Sequence, residues 1–206
     1  MMDIAAWLQI AAVCILGAIS PGPSLAVVLR NTVAGGRFQG AMAGIGHGIG
    51  VGLYALAAVT GLGALLAADS ALFRAANWAG AGFLVWLGIQ LWRRSYGPPG
   101  EVTEAVPLGG ARGFAEGFII AFLNPKIAAF FLALFSQFVH ADAGWAEKGA
   151  MALTAGAIDM GWYVLAAVVL AGTGAVDWLR RHGLLVDRVI GSVLLIVAAG
   201  LFLREM

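Results

Sequence analysis

The sequence predicts an all-α, polytopic integral membrane protein of about six transmembrane helices arranged as two inverted three-helix repeats. Its composition gives the class: 61% hydrophobic and 11% charged residues, with a mean hydropathy of +0.91, leave too little polar surface for a water-soluble domain. Its length gives the number, since a span takes about 20 apolar residues and 206 residues hold about six with short loops. Its breaks give the repeat, because a proline-containing interruption falls inside the first helix of each half.

In chain order, apolar runs fall at 4–29, 39–68, 71–92, 114–139, 147–171 and 185–203. The first lacks a basic leading region and runs past Pro23, so it is read as a retained helix. The second and third are separated by little more than Asp69, Ser70 and Arg74, a tight hairpin. Residues 172–184 form the other weak boundary, where an interfacial stretch would leave five spans. Trp7, Trp92, Trp145 and Trp178 stand near span ends, where an indole buries its ring and keeps its N–H among headgroups.

Arg93 to Arg112, with Gly97, Pro98, Pro99 and Gly100 inside it, cannot span and reads as a cytoplasmic linker. It divides one membrane domain, 1–206, into half one (1–92) and half two (113–206) around the linker 93–112. With six spans, Arg30, Arg37, Arg93, Arg94, Arg112, Arg180, Arg181 and Arg188 lie on one side, against Arg74, Lys148 and Arg204 on the other. The positive-inside rule then places both termini outside a bacterial inner membrane.

The breaks carry the chemistry. Ser20, Pro21, Gly22 and Pro23 interrupt the first span, and Asn124, Pro125 and Lys126 interrupt the fourth. Proline has no N–H and drives its predecessor out of the α region, so Ser20 and Asn124 become non-helical and act as caps before a new helix start. Each break exposes donors at a helix N-terminus and acceptors from the preceding turn, groups that match the carboxylate and ammonium of a zwitterion. Prolines that merely kink packed helices are the alternative, weakened by their occurrence in both halves.

Lys126 near mid-span costs roughly 2.5–3.5 kcal/mol on insertion scales, so it is expected to face the interior. Asp159 is the acidic residue expected at similar depth, and the two are expected to meet, either as a static buried pair or as groups that handle substrate and proton. Gly40, Gly44, Gly48 and Gly52, with Gly46 and Gly50 beside them, form a stripe that lets helices approach closely. His47 lies on that stripe, either as a proton relay or as a donor to a backbone carbonyl.

Several classes drop out. A formal charge of +1 gives no field for nucleic acid. Residues 44–50 do not complete a dinucleotide fingerprint or a P-loop. Cys14, the only cysteine, sits in an apolar run and reads as packing. No metal-ligand spacing, catalytic triad or cofactor motif emerges, so neither an enzyme nor a cofactor is expected.

Together, the Ser20–Pro23 motif, Trp78 to Ala81, Leu87 to Gln90 with Trp92 and Arg93, Phe114 and Gly117 leading into Asn124–Lys126, and Asp159 resemble the lysine-exporter (LysE/RhtB-type) superfamily of bacterial amino-acid exporters along the whole chain. The resemblance implies proton-motive-force-dependent efflux of an amino acid by alternating access. Both proline motifs would line the pathway, with Asn124 and Lys126 near substrate and Asp159 handling a proton or the ammonium. The expected partners are the amino-acid solute, protons, lipid and a possible second copy of the chain. A divalent-metal exporter of the same superfamily and a non-transporting membrane scaffold are the alternatives.

Overall fold

The computed structural model describes residues 2–20, 22–68, 70–93, 109–140, 143–170, 173 and most positions between 181 and 199. The elements are α1 (Ile4–Ile19), α2 (Pro23–Ala68), α3 (Ser70–Arg93), α4 (Gly110–Phe122), α5 (Pro125–Phe135) and α6 (Trp145–Leu165), the last continued by a π-helical turn, Ala166–Leu170. There is no strand among the described residues. Two described helical stretches are long and apolar enough to cross a membrane, Pro23–Ala64, which is divided at Gly36, and Trp145–Val169, and Ile4–Ile19 is a shorter apolar helix.

α1 starts where Asp3 caps it, its side chain accepting from Ala6 N at 2.7 Å, which satisfies one donor of the first turn. It stops at Ser20, whose φ −55 and ψ 118 are the extended values that a following proline imposes. Helix resumes at Pro23, later than the start directly after a Ser20 cap that the sequence suggested, with Gly22 still outside the helix. It then continues through Arg30, which the apolar runs placed in a loop.

α2 is two helices in one. Eight residues of unbroken helix would hold Asn31 and Gln39 about 12 Å apart. Instead Gln39 Nε2 donates to Asn31 Oδ1 at 2.8 Å, and a Cβ on Gly40 would fall 1.9 Å from Thr32 Oγ1. The chain folds back at Gly36, whose φ of 78 is a value that a side chain disfavours. The first loop is therefore one residue long, between limbs 23–35 and 37–68. Arg30 fits a helix because Glu116 on α4 meets it.

The limb 37–68 is the axis of the bundle, and its glycines face two neighbours. On one side Gly44 and Gly48 lie against α6, where added Cβ atoms would come 2.9 Å from Tyr163 C and 2.4 Å from Met160 Cβ. On another, a Cβ on Gly46 would lie 2.1 Å from Phe114 O of α4, and one on Gly117 would lie 1.9 Å from Ala43 O. The two neighbouring glycine stripes of the sequence thus serve two different interfaces. Gly44 and Gly48 meet α6 in descending order, so the limb is antiparallel to it, while Gln39, Ala43 and Gly50 meet Gly113, Gly117 and Ala121 in ascending order, so it is parallel to α4.

Buried residues of α1 (Ile10, Val13, Cys14) pack with Val51, Ala55 and Leu62 of the limb, Phe131 and Phe135 of α5 and Met151 and Ala155 of α6. Toward the other end, Leu25, Val28 and Leu29 pack with Ala43, Tyr163 and Ala167. α1 and limb 23–35 therefore occupy successive depths of one path, interrupted in the middle. α4 and α5 repeat the pattern around Leu123 and Asn124. The described positions between 184 and 199 are helical and meet α3, where Trp92 Nε1 donates to Ser192 Oγ at 3.1 Å and a Cβ on Gly88 would lie 2.9 Å from Gly191 O.

Trp92 and Trp145 are exposed, whereas Trp7 packs against the core at the α1 end. Trp178, residues 94–108 of the linker 93–112 and most of 172–184 lie outside the described residues, while the linker's ends are helical, Arg93 closing α3 and residues 110–112 opening α4.

Candidate functional site

The two breaks open onto one cavity of about 100 Å³. Ser20, Gly22 and Pro23 line it from the first break and Asn124 from the second, while His47, Asp159, Ser24 and Tyr163 complete its polar wall. Val13, Cys14, Val51, Phe130 and Phe131 form the apolar remainder. The space admits several waters or one small solute.

Each polar group is placed by backbone that the sequence makes distinctive. At the first break Ala26 N bonds back to Gly22 O at 3.1 Å, so the helix donors that precede Ala26 belong to the opening turn. At the second, Leu123 N reaches Ile119 O at 2.9 Å, Asn124 N reaches Ala121 O at 3.2 Å, and Ile127 N reaches Asn124 O at 3.0 Å. One helix thus closes and the next opens within two residues. The N-terminal end of α5 faces the break as a partial positive charge.

His47 stands between Gly46 and Gly48, the glycines that bring its helix into backbone contact with α4 and α6. That proximity carries its imidazole to α6, where Nδ1 lies 2.6 Å from Asp159 Oδ2. The side chains are 1% and 12% exposed. With Asp159 ionised, Nδ1 carries the proton and donates it, which fixes the tautomer. His47 Nε2 is buried without a hydrogen-bond partner among the described residues. Tyr163 packs its ring edgewise on the imidazole, centroids 4.5 Å apart, and lines the cavity together with Ser24.

The structure therefore brings Ser20, Gly22, Pro23, Asn124, His47 and Asp159 together. Asp159 meets His47 and not a backbone-bound neighbour, so of the two sequence-based readings of His47 the carbonyl bond is replaced by a carboxylate bond. Pro125 opens α5 and Lys126 follows it in the first turn. The side chains of both, and all of Pro21, lie outside what is described, as does the expected meeting of Lys126 with Asp159. Cys14 is buried in the core as expected and also borders the cavity.

Two polar features were missed in the sequence. Tyr163 lies four residues after Asp159, on the same helical face, and Ser24 falls in the first turn after the proline break; those spacings were the available signals. Glu116 was the second. It lies in the fourth apolar run, and there it accepts from Arg112 Nε at 2.9 Å, from Asn31 Nδ2 at 2.9 Å and from Arg30. The i,i+4 spacing of Arg112 and Glu116 was visible; the partners across the bundle were not.

The chain matches the LysE type translocator family over residues 15–205. A Vibrio cholerae protein described as an uncharacterized membrane protein is 32% identical over 171 residues, covering 81% of this chain and 83% of that one. A homoserine/homoserine lactone efflux protein of Salmonella typhimurium is 34% identical over 122 residues, covering 59% of this chain and 58% of that protein. No solved structure matches.

Proposed function

We propose that this chain, which belongs to the LysE type translocator family, exports an amino acid or small amino-acid derivative across the bacterial inner membrane in exchange for protons. The observation that carries the reading is the convergence of both helix breaks on one cavity that also contains the buried His47–Asp159 pair. The name of the Salmonella typhimurium relative, an efflux protein for homoserine and its lactone, supports the solute class.

In this reading the solute carboxylate binds at the helix start around Pro23 and Ser24, where the opening donors and the dipole favour an anion. Asn124 and Lys126 serve the same group from the second break. The solute ammonium is held by Asp159 and by carbonyls at the end of α1. A proton arriving on the His47–Asp159 pair from the outer side neutralises the carboxylate, weakens its hold on the ammonium and releases the solute outward. Loss of that proton to the cytoplasm restores the carboxylate for the next solute. One carboxylate on the cavity wall thus binds two cations in turn, which is the minimum requirement of an exchanger.

Half one and half two move against each other around this fixed site. The arginine excess at the linker end supports a cytoplasmic position for that end, with both termini outside.

Counterflow tests the solute class without any gradient. Proteoliposomes loaded with unlabelled homoserine, threonine, leucine, lysine or glutamate are expected to accumulate the matching labelled amino acid for at least one of them. Ser24→Ala raises the half-saturating concentration, by about fivefold for the loss of one hydrogen bond. Absence of counterflow with every amino acid would sink the reading.

A further inference from the structure

Away from the cavity, one polar network ties together parts of the molecule that a transport cycle must separate. Glu116 on α4 accepts from Arg30 and from Asn31 Nδ2 at 2.9 Å, both on limb 23–35. Asn31 Oδ1 in turn accepts from Gln39 Nε2 at 2.8 Å, on the limb that begins after Gly36. Arg112 also donates to Glu116, at 2.9 Å, but from the same helix. Glu116 thus bonds the first half to the second at this end of the bundle, as the His47–Asp159 pair does at the cavity and Trp92 with Ser192 does beside α3.

The network is part solvated and part dry. Arg30 and Glu116 side chains are 43% and 24% exposed, while Asn31 and Gln39 are 1% and 4% exposed. Buried amides need partners, so Asn31 and Gln39 can separate from Glu116 only if water reaches them. Between this network and the cavity the helices touch at backbone: a Cβ on Gly113 would lie 2.4 Å from Gln39 O, and one on Gly117 would lie 1.9 Å from Ala43 O. These contacts leave no space between limb 37–68 and α4 at the network end. By contrast, the contact of His140 with Glu147, 3.6 Å, lies within the second half and ties nothing across.

We propose that Glu116, held by Arg30 and Asn31, is a latch that closes the cavity to the network end of the bundle, and that its release, which wets Asn31 and Gln39, opens the cavity to that side. The latch rests on the alternating-access reading above. Glu116 is a positioning residue: it does not line the cavity, and it acts through the contact between limb 23–35 and α4. The assignment separates its two arginines, since Arg30 crosses between halves and Arg112 does not.

Cys14, the only cysteine, borders the cavity and reports access to it. Full-length protein in inside-out and right-side-out vesicles is treated with a membrane-impermeant thiosulfonate, and the rate of Cys14 modification is measured from each face. Arg30→Gln and Glu116→Gln are each expected to raise the rate from the network face about tenfold, the size of losing one charged hydrogen bond, and to lower it from the opposite face. Arg112→Gln leaves it near the wild-type value. Ser20→Cys in a Cys14→Ala background repeats the measurement at the break itself.

Unchanged rates in both cross-half variants, an equal rise from both faces, or an equal rise in Arg112→Gln would each overturn the latch. Arg30→Gln removes a half-exposed side chain, so the test stands even where Glu116→Gln fails to fold. The labelling pattern does not require flux. A wild type that moves no amino acid but shows the pattern keeps the latch and removes the export reading, and export without the pattern does the reverse.

Discussion

An ionised carboxylate in a membrane interior is stable only with a partner, and for Asp159 that partner is His47 at 2.6 Å. Removing one member of a buried pair leaves the other uncompensated and costs about 3 kcal/mol, whereas neutral replacements of both restore much of it. His47→Ala is therefore expected to lower the melting temperature in detergent more than the double variant His47→Gln with Asp159→Asn. A double variant as unstable as His47→Ala would show that the pair is not what stabilises this depth. Asp159 and His47 were both legible in the sequence as polar residues within apolar runs. Their meeting was not, because it depends on two helices 112 positions apart touching at backbone, which no local spacing records. The same limit hid the partners of Glu116, while Pro21 and Pro23 announced their break outright through backbone rules that act on the proline and the residue before it.

Elements here are set by glycine as much as by apolar runs. The limb 37–68 packs so closely that added methyl groups at Gly48 and Gly117 would overlap neighbours, Met160 Cβ at 2.4 Å and Ala43 O at 1.9 Å, and overpacking costs about 1–3 kcal/mol. At Gly82 nothing lies within 4 Å of the added carbon, and alanine in a helix interior gains about 0.5–1 kcal/mol over glycine. Gly117→Ala and Gly48→Ala are thus expected to destabilise the fold and Gly82→Ala to leave it unchanged or improve it, read as thermal melting in detergent. Equal effects at the three positions would contradict the two-faced packing. The glycine spacing itself pointed to close helix contact, but the turn at Gly36 escaped the sequence reading. Arg30 and Arg37 looked like loop residues, and only the presence of Glu116 opposite Arg30 makes a helix there affordable.

At the scale of the whole molecule, two broken paths cross a bundle built around one long limb and meet at one cavity. Membership in the LysE type translocator family and the apolar helices give a membrane transporter; the proton coupling is proposed from the chemistry of the buried pair. If that pair carries the proton, solute and proton must move in opposite directions through the same site, and an amide at position 159 must uncouple them. The most direct measurement is therefore of protons: proteoliposomes carry an entrapped pH indicator, an outward gradient of the amino acid found by counterflow is imposed, and internal pH is followed for wild type and Asp159→Asn. Internal acidification that accompanies solute efflux in wild type and vanishes in Asp159→Asn is the predicted result. Solute efflux with no pH change in wild type, or with undiminished acidification in Asp159→Asn, would contradict the assignment of the proton to His47 and Asp159.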